Sequence, residues 1–180
     1  VDRLDAASQR LLEALAVLPR GGSHDMLRHI SRPHRAAALA GLLAIGALVE
    51  QPDGQLTFRH ELARLAVLQR VPVSRQRQLH RRIADHIAAR FAPDDLPRMA
   101  ERFHHCAAVG DADAVLALAP KLAAHAARMG AHKQAALFLA KAIPHADRLP
   151  AADAAQMHES WSYEAGLAEQ IDADVIRARH

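Results

Sequence analysis

Histidine is the residue type in this sequence that could do the most chemistry. The chain has thirteen histidines and one cysteine, Cys106, in 180 residues. An imidazole can bind a metal ion, transfer a proton near neutral pH or donate a hydrogen bond to a phosphate oxygen. Because Cys106 directly follows His104 and His105, this triplet is the first candidate for a metal site or an activated thiol.

The spacing of these residues argues against both kinds of site. Adjacent residues on a helix point about 100° apart, so His104 and His105 are poorly placed to share one ion. Neither a C-x-x-C nor an H-x-x-x-H partner accompanies Cys106, and a thiol nucleophile needs an oriented base. His24 and His29 flank a short predicted helix without a carboxylate at a ligand spacing. We predict no metal site.

The motifs that bind or transform nucleotides are also missing. The sequence has no G-x-x-x-x-G-K-[ST] phosphate loop, no G-x-S-x-G and no glycine-rich dinucleotide turn. Gly21-Gly22-Ser23 is interpreted as a joint between two helices. The chain by itself is therefore predicted to have no catalytic residues, no cofactor and no enzyme activity.

Composition predicts a helical protein of the cytoplasm. The chain is 51% hydrophobic but only 3% aromatic, and its alanine, leucine and arginine favour helices. No apolar run reaches the roughly 20 residues that span a bilayer, no signal peptide is apparent, and one cysteine fits a reducing compartment. The chain starts at Val1 and ends inside a helical pattern, so we expect a piece of a larger protein without a membrane partner.

Residues 1–72 are predicted to form a winged helix. Asp5, Ser23 and Pro33 stand where three short helices would begin. Short strand-like runs at 48–50 and 55–59 follow, separated by the turn residues 52–54. The apolar residues expected to be buried in the three helices are Leu11, Leu12, Leu15, Leu18, Met26, Leu27, Ile30, Leu39, Leu42, Leu43 and Ile45.

The net charge of +3 is compatible with binding to DNA. The third predicted helix, however, is poorly suited to recognise a base sequence. Only Ala, Gly, Leu and Ile occur between Ala36 and Ala47, whereas base readout needs exposed hydrogen-bonding side chains. The basic residues Arg32, His34 and Arg35 stand at its start, where they could contact phosphate. We expect this helix to pack against protein instead.

A fourth helix with a stripe of Leu62, Leu65 and Ala66 follows the hairpin, and residues 73–92 form a connecting helix. The connecting helix is predicted to bury Leu79, Ile83, Ile87 and Phe91. Its arginines are interpreted as a solvated face rather than a nucleic-acid patch, namely Arg75, Arg77, Arg81, Arg82 and Arg90.

Residues 93–180 read as a truncated array of helices similar to tetratricopeptide (TPR) repeats, with an irregular period. Asp94 or Asp95 caps the first of them, and joints are predicted at 109–111, 129–130, 149–150 and 169–172. Pro120 is predicted to start a new helix, because proline is unfavourable inside one. The fold class predicted for the chain is therefore mainly α, a winged helix followed by a TPR-like α-solenoid.

The run Phe58-Arg59-His60-Glu61-Leu62-x-Arg64, directly after the predicted wing, resembles the F-R-H-E-L-x-R signature of large ATP-binding LuxR-type regulators. It is also similar to the M-H-D-L-x-R motif of the wider class of signal-transducing ATPases with numerous domains. Stretches at 84–88, 102–111 and 130–136 continue this likeness, which covers essentially the whole chain. The order of these short motifs, more than any one of them, carries the resemblance.

The resemblance implies a function that the motifs alone do not. It implies that an adjacent ATPase domain of the same protein binds ATP or ADP, that the winged helix closes over the nucleotide, and that DNA is bound only by parts outside this chain. It makes His60 a candidate sensor of the β-phosphate of ADP, supported by Arg64. Glu61 departs from the aspartate usual in the wider class.

Other interpretations stay open. His60 could instead cap its helix or pack under the wing. The helical arm is expected to bind an inducer or a protein partner that the sequence does not identify. The alternative to a regulatory segment is a free-standing DNA-binding winged helix with a helical dimerisation tail, and a third possibility is a helical scaffold unrelated to transcription.

Overall fold

The structure, a computed structural model, describes the backbone of residues 4–31 and 35–178 and the side chains of residues 4–31 and 36–170. Over these ranges it is mainly helical, as predicted, with 75% helix, nine α-helices and one small antiparallel sheet. The chain forms two compact units that divide after Arg90. The predicted helix start at Pro33 and the basic residues Arg32 and His34 lie outside the described residues.

The first three helices of the first unit are α1 (Ala6–Ala16), α2 (His24–Ile30) and α3 (Arg35–Ala44). Asp5 caps α1, its carboxylate accepting from the N–H groups of Ala7 and Ser8 at 2.8 and 2.9 Å. Ser23 caps α2 by accepting from the Met26 N–H at 3.2 Å. Most of the predicted apolar residues are buried here: Leu11, Leu12, Leu15, Leu18, Met26, Leu27, Ile30, Leu39 and Leu42.

The predicted hairpin is present as β2 (Leu48–Glu50) and β3 (Gln55–Phe58), with Leu48 opposite Phe58 and Glu50 opposite Leu56. Its turn closes where the Gly54 N–H donates to the Gln51 carbonyl at 2.9 Å. Ile45, predicted to be buried, is instead exposed, because it follows the last turn of α3 on the way into β2.

A third strand, β1 (Gly22–Ser23), pairs antiparallel with β3, so β3 is the central strand of the sheet. The interpretation of Gly21-Gly22-Ser23 as a plain helix joint was therefore wrong. A strand of two residues has no alternating pattern, and its pairing depends on where the hairpin folds back. Gly21 allows the close approach: its φ is +82°, and a Cβ there would lie 2.6 Å from the Leu56 carbonyl oxygen.

Two further helices complete the first unit, α4 (Glu61–Arg70) and α5 (Val73–Arg90). The predicted stripe of α5 is buried at Leu79, Ile83 and Ile87. The helix predicted to connect two units belongs to the first one, in which it packs against α2.

The arginines of α5 are not a uniformly solvated face. Arg75 lies 3.4 Å from the Glu13 carboxylate of α1. Arg82 donates to the carbonyl of Ile30 at the end of α2. Arg77 and Arg81 are exposed, as expected. The basic face of α5 therefore partly serves to hold the first unit together.

The second unit contains α6 (Leu96–Val109), α7 (Ala112–Arg128), α8 (His132–Ala142), a 3₁₀ helix (Ile143–Arg148) and α9 (Ala151–Ala178). From α6 to α9, each α-helix packs against the next. Asp95 caps α6, as one of the two predicted candidates, and Asp111 caps α7. Glycines with positive φ end α6 and follow α7, at the predicted joints Gly110 and Gly130.

Two predicted breaks in the second unit were wrong. Pro120 lies inside α7, which continues through it. The predicted joint at 169–172 lies within the continuous helix α9, since that stretch contains neither Pro nor Gly to end a helix. Packing on both sides can hold a helix through one proline, although the proline removes a hydrogen bond.

Within the described ranges, no strand follows Phe58. Over the same residues, no helix combines the length and the apolar character needed to cross a bilayer.

Candidate functional site

His60 lies between β3 and α4 and is exposed to solvent. Its backbone is extended, and its carbonyl accepts from the Ala63 and Arg64 N–H groups, which starts α4. The side chain makes no capping hydrogen bond, so neither structural alternative, a cap or a ring packed under the wing, is found. Among the described residues, no hydrogen bond or ion pair holds the His60 ring. This is the geometry expected of a sensor, and the role itself stays a prediction.

Arg64, one turn further along α4, is buried, and three of its five N–H donors form hydrogen bonds. Its Nε and Nη2 atoms donate to the two carboxylate oxygens of Glu61 at 2.8 and 2.6 Å. Its Nη1 donates to the carbonyl oxygen of Ala16, the last residue of α1, at 2.5 Å. A guanidinium at the carboxyl end of a helix also interacts favourably with the helix dipole. Arg64 therefore joins α4 to α1.

The Glu61–Arg64 pair shifts both groups toward their charged forms. The hydrogen bond from Arg64 is the main cause that lowers the pKa of Glu61; burial opposes it, and the positive charge of Arg64 lowers the pKa further. The hydrogen bond to Glu61 raises the pKa of Arg64, again against burial. These bonds give Arg64 a structural role in the first unit. Its predicted support of His60 as a phosphate contact stays a prediction.

Arg59, the residue before His60, is also used internally. Its side-chain Nε donates to the Gly46 carbonyl at 2.8 Å. Its backbone N–H donates to the Ala47 carbonyl at 3.1 Å. These bonds fasten the end of β3 to the joint between α3 and β2. Among the polar residues from Phe58 to Arg64, all of them described, His60 is the one whose side chain makes no hydrogen bond within the first unit.

The apolar stripe predicted for α4 faces outward, which corrects that prediction. Leu62 is 80% exposed, and Leu65 and Ala66 are exposed as well. The inward positions are Arg64 and Val67.

From Ala36 to Ala44, where the side chains of α3 are described, its outward face carries only small side chains. Ala36, Ala37, Ala40, Gly41 and Ala44 are exposed, and none has a hydrogen-bonding side chain. Base edges are recognised by donors and acceptors, and the absence of base reading by α3 stays a prediction.

The histidines rejected as metal ligands are arranged differently from what their spacing predicted. His104 and His105 were expected to point apart, yet their rings lie edge to face with centroids 5.2 Å apart, because rotation about the side-chain bonds brings them together. His105 and Cys106 are buried. His24 finds a carboxylate after all, 3.1 Å away on Glu50, through the fold rather than through local spacing.

A cavity of about 470 Å³, which was not expected from the sequence, lies in the second unit between α7 and α9. It lies beside a hydrogen bond of 2.7 Å between His132 of α8 and Glu164 of α9. The signal in the sequence was the polar spacing of Asp153, Gln156, Ser160 and Glu164 along one face of α9.

Comparisons with known proteins do not assign a family, because no protein-family model, curated protein or solved structure matches the chain.

Proposed function

We propose that the first unit is the nucleotide-state lid of an ATP-dependent transcriptional regulator of the LuxR type, and that the second unit is its sensor or partner-binding arm. In this proposal the chain is non-catalytic and acts on an ATPase domain elsewhere in the same protein. One observation carries it: His60 is exposed at the start of α4 while Arg59, Glu61 and Arg64 are used inside the unit.

The order of elements supports the winged-helix part of the proposal. Three helices, with a short strand between the first two, are followed by a hairpin whose inner strand completes the sheet. The successive packing of α6 to α9 supports a TPR-like arm, since stacked helices present an extended surface for ligands.

The chemistry at His60 suits a terminal phosphate. The amino end of α4 has backbone N–H groups and a partial positive charge that favour anions. The imidazole can donate one further N–H to the phosphate. Among the described residues no hydrogen bond holds this ring, so none has to be broken first. Contact with the lid would then hold ADP in its site and keep the regulator in its resting state.

Glu61 would be expected to repel a phosphate next to His60, but Arg64 compensates its charge. The two groups form a bidentate pair, so the net charge beside the imidazole is close to zero. Glu61 has a longer side chain than the aspartate of the wider class, and its two carboxylate oxygens accept from the Nε and Nη2 atoms of Arg64. This pair therefore removes the main electrostatic objection to a phosphate at His60.

The alternative of a free-standing DNA-binding protein has less support. Over the described side chains of α3, from Ala36 to Ala44, the exposed face offers no group that could read a base. Two of the α5 arginines that could have formed a basic patch are engaged inside the first unit, Arg75 with Glu13 and Arg82 with Ile30.

The proposal is tested by the rate at which ADP dissociates from the protein that carries this chain together with its ATPase domain. His60→Ala should release ADP faster, by about tenfold for the loss of one charge-assisted hydrogen bond, and should raise activity without inducer. His158→Ala, which removes an exposed histidine from α9, serves as the matched control. An unchanged ADP dissociation rate in His60→Ala would remove this residue from the mechanism.

A further inference from the structure

The cavity in the second unit has two chemically different walls. The α7 wall is apolar and consists of Leu116, Pro120, Ala123 and Ala124. The α9 wall contributes side chains that accept hydrogen bonds, Asp153, Gln156, Ser160 and Glu164. The volume of about 470 Å³ lies within the range of sites that bind small molecules, roughly 300–1,000 Å³.

The charge of the lining residues is one-sided. Asp153 and Glu164 are acidic, and among the described residues that line the cavity there is no lysine or arginine. Glu164 is nearly buried, with 12% of its side chain exposed, and it accepts from His132 through one carboxylate oxygen, Oε2. A carboxylate has about four acceptor positions, so this bond leaves capacity for a second donor.

Pro120 adds to the excess of acceptors. Inside a helix, the carbonyl of residue i normally receives the N–H of residue i+4. Proline has no N–H, so the Leu116 carbonyl lacks that donor, and both Leu116 and Pro120 line the cavity. The site is thus rich in acceptors along one side and apolar along the other.

We propose that this cavity binds a small organic cation, with its ammonium group at the nearly buried Glu164 carboxylate and its apolar body against α7. An ammonium supplies a donor and a positive charge that suit this carboxylate, whereas an anion would be repelled by it. The bound cation would be the signal that the second unit senses, and this role rests on the proposed function. The binding itself does not, because the cavity lies entirely within the second unit.

The test uses three ligands that differ in charge but share one apolar body: 4-phenylbutylamine, which is protonated at pH 7, 4-phenylbutanol and 4-phenylbutyrate. Each is titrated into the full chain without nucleotide, and binding is followed by two-dimensional NMR and by the fluorescence of Trp161. This is the chain's one tryptophan, and it is adjacent to the cavity residue Ser160. We expect the amine to bind saturably, at least about tenfold more tightly than the alcohol, and the acid more weakly still.

Matched variants locate the site. Glu164→Gln should weaken binding of the amine by about fivefold or more. Asp153→Asn should have a smaller effect, because eleven residues of α9 place Asp153 about 16 Å from Glu164 along the helix axis. Glu159→Gln removes the same charge from an exposed position of α9 outside the cavity and should leave binding unchanged. Ala124→Leu introduces bulk at an exposed position on the apolar wall and should abolish binding with little effect on the circular dichroism spectrum.

Four outcomes would overturn the proposal: no saturable binding of the amine, equal binding of the alcohol, preferred binding of the acid, or equal loss of binding in Glu159→Gln and Glu164→Gln. None of these measurements involves ADP, so such a failure would leave the role of His60 untouched. Conversely, an unchanged ADP dissociation rate in His60→Ala would not affect the cation site.

Discussion

The Arg64 guanidinium donates a 2.5 Å hydrogen bond to the carbonyl oxygen of Ala16, linking two helices across 48 positions of the chain. The same guanidinium holds Glu61 through two further bonds. Two residues of the run that pointed to a phosphate sensor, Glu61 and Arg64, are therefore structural. This separation of roles makes His60 and Arg64 distinguishable by experiment.

Arg64→Ala should destabilise the first unit by about 2–3 kcal/mol, because it leaves the Ala16 carbonyl without its partner and removes a charged hydrogen-bond network. Arg64→Lys should recover only part of this loss, since lysine cannot form the bidentate pair. Urea denaturation followed by circular dichroism, with NMR signals of the first unit to assign the transition, measures the effect. His60→Ala, at an exposed site, should stay within about 0.5 kcal/mol of wild type; equal losses in both variants would contradict the division of roles.

Glu61→Gln should reduce stability at neutral pH and have less effect in acid. Arg64 lowers the pKa of Glu61 in the folded protein, so the pair stabilises the fold above the pKa of a free glutamate, about 4.3. That contribution disappears as pH falls through the lowered pKa, where the folded carboxylate becomes protonated. Thermal unfolding of the variant and of wild type should therefore converge toward pH 3. The exposed Glu159→Gln is the control, and a constant difference from pH 7 to pH 3 would exclude this linkage.

Gly21→Ala should be far more damaging than Gly54→Ala, although both glycines have positive φ. At Gly54 a new Cβ meets nothing within 4 Å, so the cost is that of the backbone conformation, about 1–2 kcal/mol. At Gly21 it would lie 2.5 Å from the Thr57 Cγ2 and 2.6 Å from the Leu56 carbonyl oxygen of β3. The loss there should be about 3 kcal/mol or more. Similar denaturation midpoints for the two variants would show that β1 does not pack tightly on β3.

Pro120→Ala should stabilise the second unit by about 2 kcal/mol. The alanine restores an N–H for the Leu116 carbonyl inside α7, a gain of roughly 3 kcal/mol, offset by about 1 kcal/mol because the unfolded chain becomes more flexible. Pro97→Ala is the matched control: Pro97 lies in the first turn of α6, where proline is well tolerated. Urea denaturation followed by Trp161 fluorescence reports on this unit. A gain of the same size in Pro97→Ala would point to a general effect of removing proline.

The chain should not bind duplex DNA tightly. Fluorescence anisotropy at about 150 mM salt should give a dissociation constant weaker than about 1 µM with no preference among sequences, as expected for non-specific phosphate contacts. The reason is the exposed face of α3, which presents alanine and glycine. Arg77→Ala and Arg81→Ala, at two exposed positions of α5, should remove most of the residual affinity. Sub-micromolar, sequence-selective binding would favour the DNA-binding alternative.

The patterns that predicted correctly were local. Asp5 and Ser23 are helix caps, residues 52–54 form the turn of a hairpin, and Gly110 ends a helix. In each case a side chain or a backbone conformation decides the structure within three or four residues. The apolar spacing of α5 was equally reliable, because its period alone defines the face that is buried.

Three of the errors have the same physical cause, which is that residues distant in sequence decided the outcome. In α4 the sequence pattern predicted that Leu62 and its stripe are buried, whereas the structure buries Arg64 and Val67. Arg64 points inward to donate to the Ala16 carbonyl, and this orientation of the helix leaves Leu62 on the outer face. Pro120 is accommodated inside α7, which packs between α6 and α8. For β1, the partner that makes two residues a strand lies more than thirty positions away, on β3.

The sequence by itself determined the mainly helical class and most helix boundaries, because these follow from propensity, capping and period over a few residues. Only the tertiary structure decided that Arg64 joins α4 to α1 through a hydrogen bond to the Ala16 carbonyl. It also decided that Asp153 and Glu164 line a cavity whose α7 wall is apolar. Both relationships depend on the docking of helices separated by tens of residues. No local energy encodes that docking, since it arises from packing and from the pairing of buried polar groups in three dimensions.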